Sequence, residues 1–521
     1  MTPCRRTALF ASALPLALLA GVAAGCRPQP PKIEPLPARS NILLITIDTL
    51  RADHLSAWGY ERQTSPTIDR LATEGVRFDQ ASVQWPKTTP SFASMFTSTY
   101  AKDNGMVRRV GVPLSCRFTT LAEHLQRQGY STAAVVANGA LGSEFHFDQG
   151  FDVYIETWKL NHDSGAAADP TKDPNGAEAV TKLAEGLLEQ LGQASKSGKP
   201  WFLWVHYLDP HAPYTPPGEY AQKFQGDAHF DPSEKIEVVA KPNQQMMGIG
   251  QKQVLDGRTD LAFYRARYDA EIAYNDAQIG RLLDEMKRRQ MMGKTMTVFS
   301  SDHGESLGEH AYYFDHGRFS FQTCLRVPLV VHYPGVLKPR VDTDPVELID
   351  LVPTLLEAAG GSVPAGLPIQ GRSLTPRLRG IDLPPPTPPD GAQEGETWSR
   401  PPGLAFAEAG WETDNKWQKV VRDRRFKLIF AQTRPEQRWI GGEGVRFTLY
   451  DLQNDPGETK NVADRFPEDL ERLKKELWAW DRAPRFDAET DTQIPPTCAD
   501  QAGREMDDET RALLKSLGYL Q

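Results

Sequence analysis

Asn41 to Ile47 (NILLITI) is apolar at almost every position. A run of this length without polar alternation predicts a strand buried on both faces, as in a parallel sheet. Ser131 to Val136, Trp201 to Tyr207 (WFLWVHY), Met296 to Phe299 and Val327 to Val331 predict further strands. Helical patterns lie between them, at Thr119 to Gln128, Ala177 to Gln193 and Tyr264 to Arg289. In the second of these, Leu183, Leu187, Leu188 and Leu191 share one side. Strands alternating with helices predict an α/β fold with a doubly wound, mostly parallel sheet flanked by helices.

The pattern breaks at Leu383 to Pro389 (LPPPTPP), and residues 383–402 are assigned as a Pro-rich linker. It divides a catalytic domain at 40–382 from a C-terminal α+β subdomain at 403–521. The subdomain has short strands at Lys419 to Val421, Phe426 to Phe430 and Thr448 to Leu452, and a helix at Pro467 to Trp480. At 521 residues the chain is long enough for one large domain and one small one. The N-terminus follows a different pattern. Arg5 and Arg6 precede an apolar stretch from Ala8 to Ala24, and Ala23-Ala24-Gly25 precede Cys26. This resembles a bacterial lipoprotein signal, with residues 1–25 removed, Cys26 lipidated, and 26–39 forming a Pro-rich tether; a plain secretory signal is the alternative. Either implies export, and lipidation implies a membrane anchor in the cell envelope, facing the periplasm or the cell surface. Cys116, Cys324 and Cys498 remain, and their spacing does not say which of them pair.

Formal net charge is −9 and no basic block occurs, which argues against nucleic acid as a partner. The candidate chemistry begins where the Met296–Phe299 strand stops. Asp302, His303, Glu305, Glu309, His310, Asp315 and His316 follow within a few residues. Asp48 likewise ends the first strand. Two carboxylates at the carboxyl ends of parallel strands converge on one crevice, and His303 adds a nitrogen. Asp48, Asp302 and His303 are therefore candidate ligands of a divalent metal (Zn, Mn or Ca), with the imidazole favouring a transition metal over Ca. In Trp85-Pro86-Lys87-Thr88-Thr89-Pro90, Pro90 suits the first turn of a helix and Thr89 its cap. Thr88 then lies at a helix N-terminus, where N–H groups favour an anion and a metal-bound hydroxyl is a competent nucleophile. A third segment, His206 to His211 with Asp209 between, ends the WFLWVHY strand.

Together these segments resemble the sulfatase family of the alkaline phosphatase superfamily. The resemblance runs from about Asn41 to Gln521 and includes Asp48 to Leu55, Val205 to Pro217, Phe299 to His310, Arg326-Val327-Pro328-Leu329 and Leu449 to Pro456. It implies Asp48, Asp302 and His303 as metal ligands, Thr88 as nucleophile, and His211 near the transferred group. It puts His310 and His316 on the leaving-group side, with Lys87 and His206 as substrate-binding candidates. Three departures stand out. In the C/S-x-P-x-R motif that yields formylglycine, Thr88 holds the first position and Phe92 replaces Arg, so the usual oxidation is not open to this chain. Thr49 stands where many sulfatases have a second metal Asp. Gly317 stands where Lys is frequent, with Arg318 beside it as a substitute.

The resemblance implies an exported, metal-dependent hydrolase of small-molecule, glycan or lipid sulfate or phosphate esters, using Thr88 without formylglycine. An envelope transferase or phosphodiesterase acting on phospho head groups is one alternative. A non-catalytic binder of anionic glycans on the same scaffold is the other. Specificity is expected from the polar insertions at 156–176 and 222–260.

Overall fold

A computed structural model describes residues 34–107, 112–160, 173, 175–229, 231–239, 248–362, 368–382, 398–411, 416–431, 446–483 and 506–516. The signal segment, Cys26, most of the linker and Cys498 lie outside the described residues.

The main sheet is built from β1 (Asn41–Ile47), β2 (Val76–Ser82), β3 (Ser131–Val136), β4 (Val153–Glu156), β5 (Trp201–Tyr207), β6 (Thr295–Ser301), β7 (Arg326–His332), β8 (Arg340–Asp342) and β9 (Val346–Glu347). Its order is β8-β2-β7-β6-β1-β5-β3-β4, with β9 also on β2. The run β6-β1-β5-β3-β4 is parallel, while β7 is antiparallel to both β6 and β2. The doubly wound, mostly parallel sheet is thus present, and one antiparallel strand makes it mixed. The outer strands were not legible in the sequence: β2 (VRFDQAS) interleaves polar residues and is only half buried.

All seven residues of β1 are buried because the sheet separates two apolar layers. Ile42 and Leu44 enter one layer, while Leu43, Ile45 and Ile47 enter the other. This is the period of two expected of a strand covered on both faces. Helix α1 (Ala177–Lys196) buries Val180, Ala184, Leu187, Leu188 and Leu191 in the second layer, and α2 (Leu261–Arg288) runs beside it.

Register sets the active edge. Ile47 of β1 pairs with Tyr207 of β5 and with Ser301 of β6. Asp48, Leu208 and Asp302 therefore leave the sheet side by side.

The C-terminal segment forms a four-stranded antiparallel sheet: Ala405–Trp411, Lys416–Arg422, Phe426–Ala431 and Phe447–Asp451. The Pro467–Arg482 helix covers it through Leu473, Leu477 and Trp480, and the same apolar cluster takes in Tyr100 and Ile349 of the main domain. Arg400 is buried and pairs with Glu347 and Asp350, joining the two parts. Contacts also cross the two expected boundaries. The last helix, Asp508–Ser516, packs on the main domain: Trp158 Nε1 donates to Thr510 Oγ1 at 2.9 Å, and Lys159 pairs with Asp507 at 2.9 Å. The end of the tether is also folded in, since Leu36 is buried and Arg379 donates to Pro35 O. Cys116 is disulfide-bonded and Cys324 is a buried free thiol.

Candidate active site

Asp48, Asp302 and His303 are fully buried, and one donor atom from each lies within 4.8 Å of the others. Their hydrogen bonds leave those atoms turned to a common point. Asp302 Oδ1 accepts from the backbone N–H groups of His303 (2.9 Å) and Thr49 (3.3 Å), whereas Asp302 Oδ2 and Asp48 Oδ1 have no hydrogen-bond partner within the chain. His303 Nδ1 lies 2.9 Å from Gly304 O. A proton on Nδ1 donates to that carbonyl and leaves the Nε2 lone pair toward the carboxylates, 3.3 Å from Asp302 Oδ2. A backbone carbonyl that sets the tautomer is the usual support of a metal-binding imidazole. Two orphan carboxylate oxygens and one imidazole nitrogen, all buried, fit a divalent cation, and burial makes them costly without one.

The charge pattern agrees. Burial raises Asp48, but the neighbouring imidazoles of His206, His211 and His303 outweigh this and bring it down to about 2. Burial and then the neighbouring Asp48 push Asp302 well above the carboxylate range. Burial lowers His303 to about 4, so it is neutral at physiological pH and able to ligate.

Thr88 enters this cluster from the helix α3 (Thr88–Thr97), which is buried throughout. Its Oγ1 is 3.3 Å from His303 Nε2, and its hydroxyl lies beside the Asp302 carboxyl. One expectation is corrected: Thr89 is not the cap. The cap position is Lys87, whose side chain makes no capping bond, and Thr88 is the first helical residue. Thr89 Oγ1 instead donates to Ala140 O at 3.4 Å. The helix start is pinned by Ser91, whose Oγ donates to Asp302 O at 2.5 Å. The nucleophile candidate and the Asp302 ligand thus share one rigid connection. Thr88 thus stands at a helix N-terminus beside the cluster, a position that favours an anion.

The other candidates fall into two groups. His206, His211, His316 and Lys87 gather around the cluster. His206 Nε2 is 3.6 Å from Asp48 Oδ2, and its Nδ1 meets Thr46 Oγ1 at 3.0 Å. Phe92, at the position of the missing Arg, packs against the rings of His206 and Trp204. The departure therefore has a packing role. His211 Nδ1 is 2.8 Å from Ala212 O, and its ring is edge-on to His316 at 5.4 Å. The His316 ring lies 4.2 Å from that of His303, and its Nδ1 is 3.2 Å from Glu305 Oε1. Burial, then the charges of His303, Lys87 and His211, push His316 well below its ordinary value.

His310 is not brought to this cluster. It has φ 56°, and its ring stacks at 3.5 Å on Phe321, near Glu458 and Lys427 of the C-terminal segment. The left-handed backbone at Gly308 and His310 turns the chain away before it returns at Asp315. Arg318 lies over the Phe319 ring and beside Asp315.

Lys87 explains Gly317. Gly317 has φ +87°, and a Cβ there would sit 3.3 Å from Lys87 Cδ. The Lys87 side chain therefore crosses the space beside Gly317, and its charge acts on His303, His316 and Asp315. The C-terminal sheet braces both sides: Gly410 N donates to Gly317 O at 3.0 Å, and Trp417 stands edge-on to Trp85. Gly317→Ala is expected to cost about 1–2 kcal/mol of stability from the left-handed backbone. By displacing Lys87 it is also expected to raise KM several-fold. Thermal unfolding and steady-state kinetics on one preparation check both effects, and unchanged KM would exclude Lys87 from substrate binding.

Asn138 and Glu305 are the residues whose roles the sequence reading missed. Asn138 lies two residues beyond β3 at the active edge, and its Nδ2 donates to Asp48 Oδ2 at 2.5 Å. Its position after a buried parallel strand was the available signal. Glu305 was part of the acidic run, but nothing in the run tied it to His316.

The comparisons with known proteins agree with this geometry. Residues 40–362 match the family model described as Sulfatase. Choline-sulfatase of Rhizobium meliloti (strain 1021) is 28% identical over 472 residues, covering 82% of this chain and 83% of that protein. N-acetylglucosamine-6-O-sulfatase of Bacteroides thetaiotaomicron is 25% identical over 521 residues, covering 86% of each. Among solved structures, phosphonate monoester hydrolase of Agrobacterium radiobacter superposes with a TM-score of 0.61 at 24% identity, covering 85% of this chain and 95% of that one. A protein solved in complex with its substrate D-glucosamine-2-N,6-O-disulfate gives 0.63 at 21% identity, covering 86% and 100%. With a family model that spans well over half of its length, this chain belongs to the sulfatase family, as a hydrolase of sulfuric or phosphoric ester bonds.

Proposed function

We propose that this protein is a metal-dependent hydrolase of sulfate or phosphate esters that uses Thr88 as its nucleophile and needs no formylglycine. The observation that carries this reading is the Thr88 hydroxyl, buried 3.3 Å from His303 Nε2 and beside the Asp302 carboxyl at a helix N-terminus. Asp48, Asp302 and His303 would hold the divalent ion, which when bound lowers the pKa of the adjacent hydroxyl and offsets charge on the substrate oxygens.

The chain's own groups account for the rest. Thr88 Oγ1 attacks the tetrahedral sulfur or phosphorus in line, and the bond to the ester oxygen breaks. The N–H groups of the first turn of α3 and the Lys87 ammonium stabilise the nonbridging oxygens. His211, at the cluster's edge, is placed to give a proton to the departing oxygen. His316 is neutral and held by Glu305, so it accepts a proton from the water that then cleaves the Thr88 ester. Choline-sulfatase among the relatives supports sulfate esters, and phosphonate monoester hydrolase among the similar folds supports phosphorus esters. Residues 1–25 and Cys26 support an exported, lipid-anchored protein in the bacterial envelope.

The test combines a substrate panel with trapping of the intermediate. The full mature chain, loaded with Zn, Mn or Ca, is given an aryl sulfate, an aryl phosphate diester and an aryl phosphonate. Rapid acid quench and peptide mass analysis should find a sulfo or phospho group on the peptide carrying Thr88. Turnover with the adduct on another residue, or no turnover of any ester with any ion, would sink the proposal.

A further inference from the structure

A second group of oxygen donors lies beneath the loop that carries His211. Asp209 follows β5, and Glu271 and Asn275 sit one helical turn apart on α2. The Asn275 amide donates to Asp209 O, and the Thr215 N–H donates to Glu271 Oε1. Glu271 Oε2 and Asn275 Oδ1 have no hydrogen-bond partner within the chain, although Glu271 is 1% and Asn275 0% exposed.

With Glu271 ionised, both orphan atoms are acceptors, so neither can satisfy the other. Asp209 is the nearest charge to act on Glu271, and Asp173 adds a third carboxylate. Burial raises Asp209 to about 7 and holds Glu271 well above its ordinary range. Arg267 gives partial compensation, but its Nε donates to Tyr214 O. Buried oxygens that lack a donor call for a proton or a cation.

We propose that Asp209, Glu271 and Asn275 form a calcium site that ties the His211 loop to α2. The donor set is oxygen alone: two carboxylates and a side-chain amide. That set suits hard Ca²⁺, in contrast to the catalytic cluster with its imidazole. The ion would join the turn after β5 to the helix that backs it, and the start of α1 at Ala177 lies beside the Asp209 carboxyl. The site therefore sits at the junction of three elements and governs how rigidly His211 is presented.

Calcium content after EDTA stripping and equilibrium dialysis tests this without an activity assay. The full chain carries Asp302→Asn as background, so that the catalytic ion is removed from the count. Glu271→Gln is then compared with this parent, since glutamine keeps the shape and folding is checked by thermal unfolding in EDTA. We expect the double variant to hold one calcium fewer per chain. We also expect calcium to raise the melting temperature of the parent but not of the double variant. Asp209→Asn should repeat the loss. Equal calcium content with and without Glu271→Gln would overturn the proposal. So would a parent that binds no calcium, in which case the carboxyls are simply protonated.

Discussion

Thr88→Ala is expected to reduce turnover by at least about 10³-fold, while Thr88→Ser keeps most of it. The size follows from the arrangement of the cluster. Among the described residues, the Thr88 hydroxyl lies within reach of His303 Nε2 and beside the Asp302 carboxyl, and it stands at the start of a helix. Removing its oxygen leaves the ligands, Lys87 and the two imidazoles in place, so binding survives better than catalysis. Such a loss corresponds to about 4 kcal/mol of transition-state stabilisation. Alanine is tolerated in the first turn of a helix, and the fold is expected to change in stability by less than about 1 kcal/mol. Steady-state kinetics of the three proteins on one ester, with melting temperatures alongside, read the outcome. If Thr88→Ala matched the parent, another residue would be the nucleophile.

Asp302→Asn is expected to have opposite effects on the metal-free and metal-loaded protein. Without metal, Asp302 and Asp48 face each other fully buried, and burial plus the Asp48 charge raise Asp302 well above the carboxylate range. Above the unfolded value of about 3.9, the unfolded chain has lost a proton that the folded chain retains. Stability of the metal-free protein therefore falls as pH rises from about 3.9 to the folded value. Asp48, held down at about 2, acts in the other sense and only below about 4. Neutral asparagine removes the Asp302 contribution. The metal-free variant should be more stable than the parent at neutral pH by about 1–3 kcal/mol, with a flatter pH dependence. With metal, the variant has lost a charged ligand, and affinity should fall by at least about 10²-fold with activity following. Denaturant melts from pH 4 to 8, with and without metal, decide it. A variant less stable than the parent in both states would mean that the carboxylate pair needs no cation.

The candidate site was legible to different degrees, for reasons seen at individual residues. Asp48, Asp302 and His303 follow buried apolar runs directly, and in a parallel sheet such positions share an edge whatever the strand order. Thr88 was placed at a helix start by local chemistry, although the cap was misplaced by two residues because tertiary bonds hold the start: Ser91 to Asp302 and Thr89 to Ala140. His310 shows the limit of sequence proximity. It is six residues from His316, yet one left-handed turn sends it to Phe321 instead. The outer strands escaped because edge positions are half exposed and lose the continuous apolar signal.

Periodicity and apolar runs, which depend only on local spacing, determined the α/β class, the buried central strands and the residues at their carboxyl ends. Which of those residues meet was decided by register and by loop paths. Pairing of Ile47 with both Tyr207 and Ser301 aligned Asp48 with Asp302. Loop geometry brought Asn138 to Asp48, Glu305 to His316, and Lys87 across Gly317. These are contacts between segments far apart in the chain or bent by positive φ. They depend on how buried layers pack, and no local pattern encodes that.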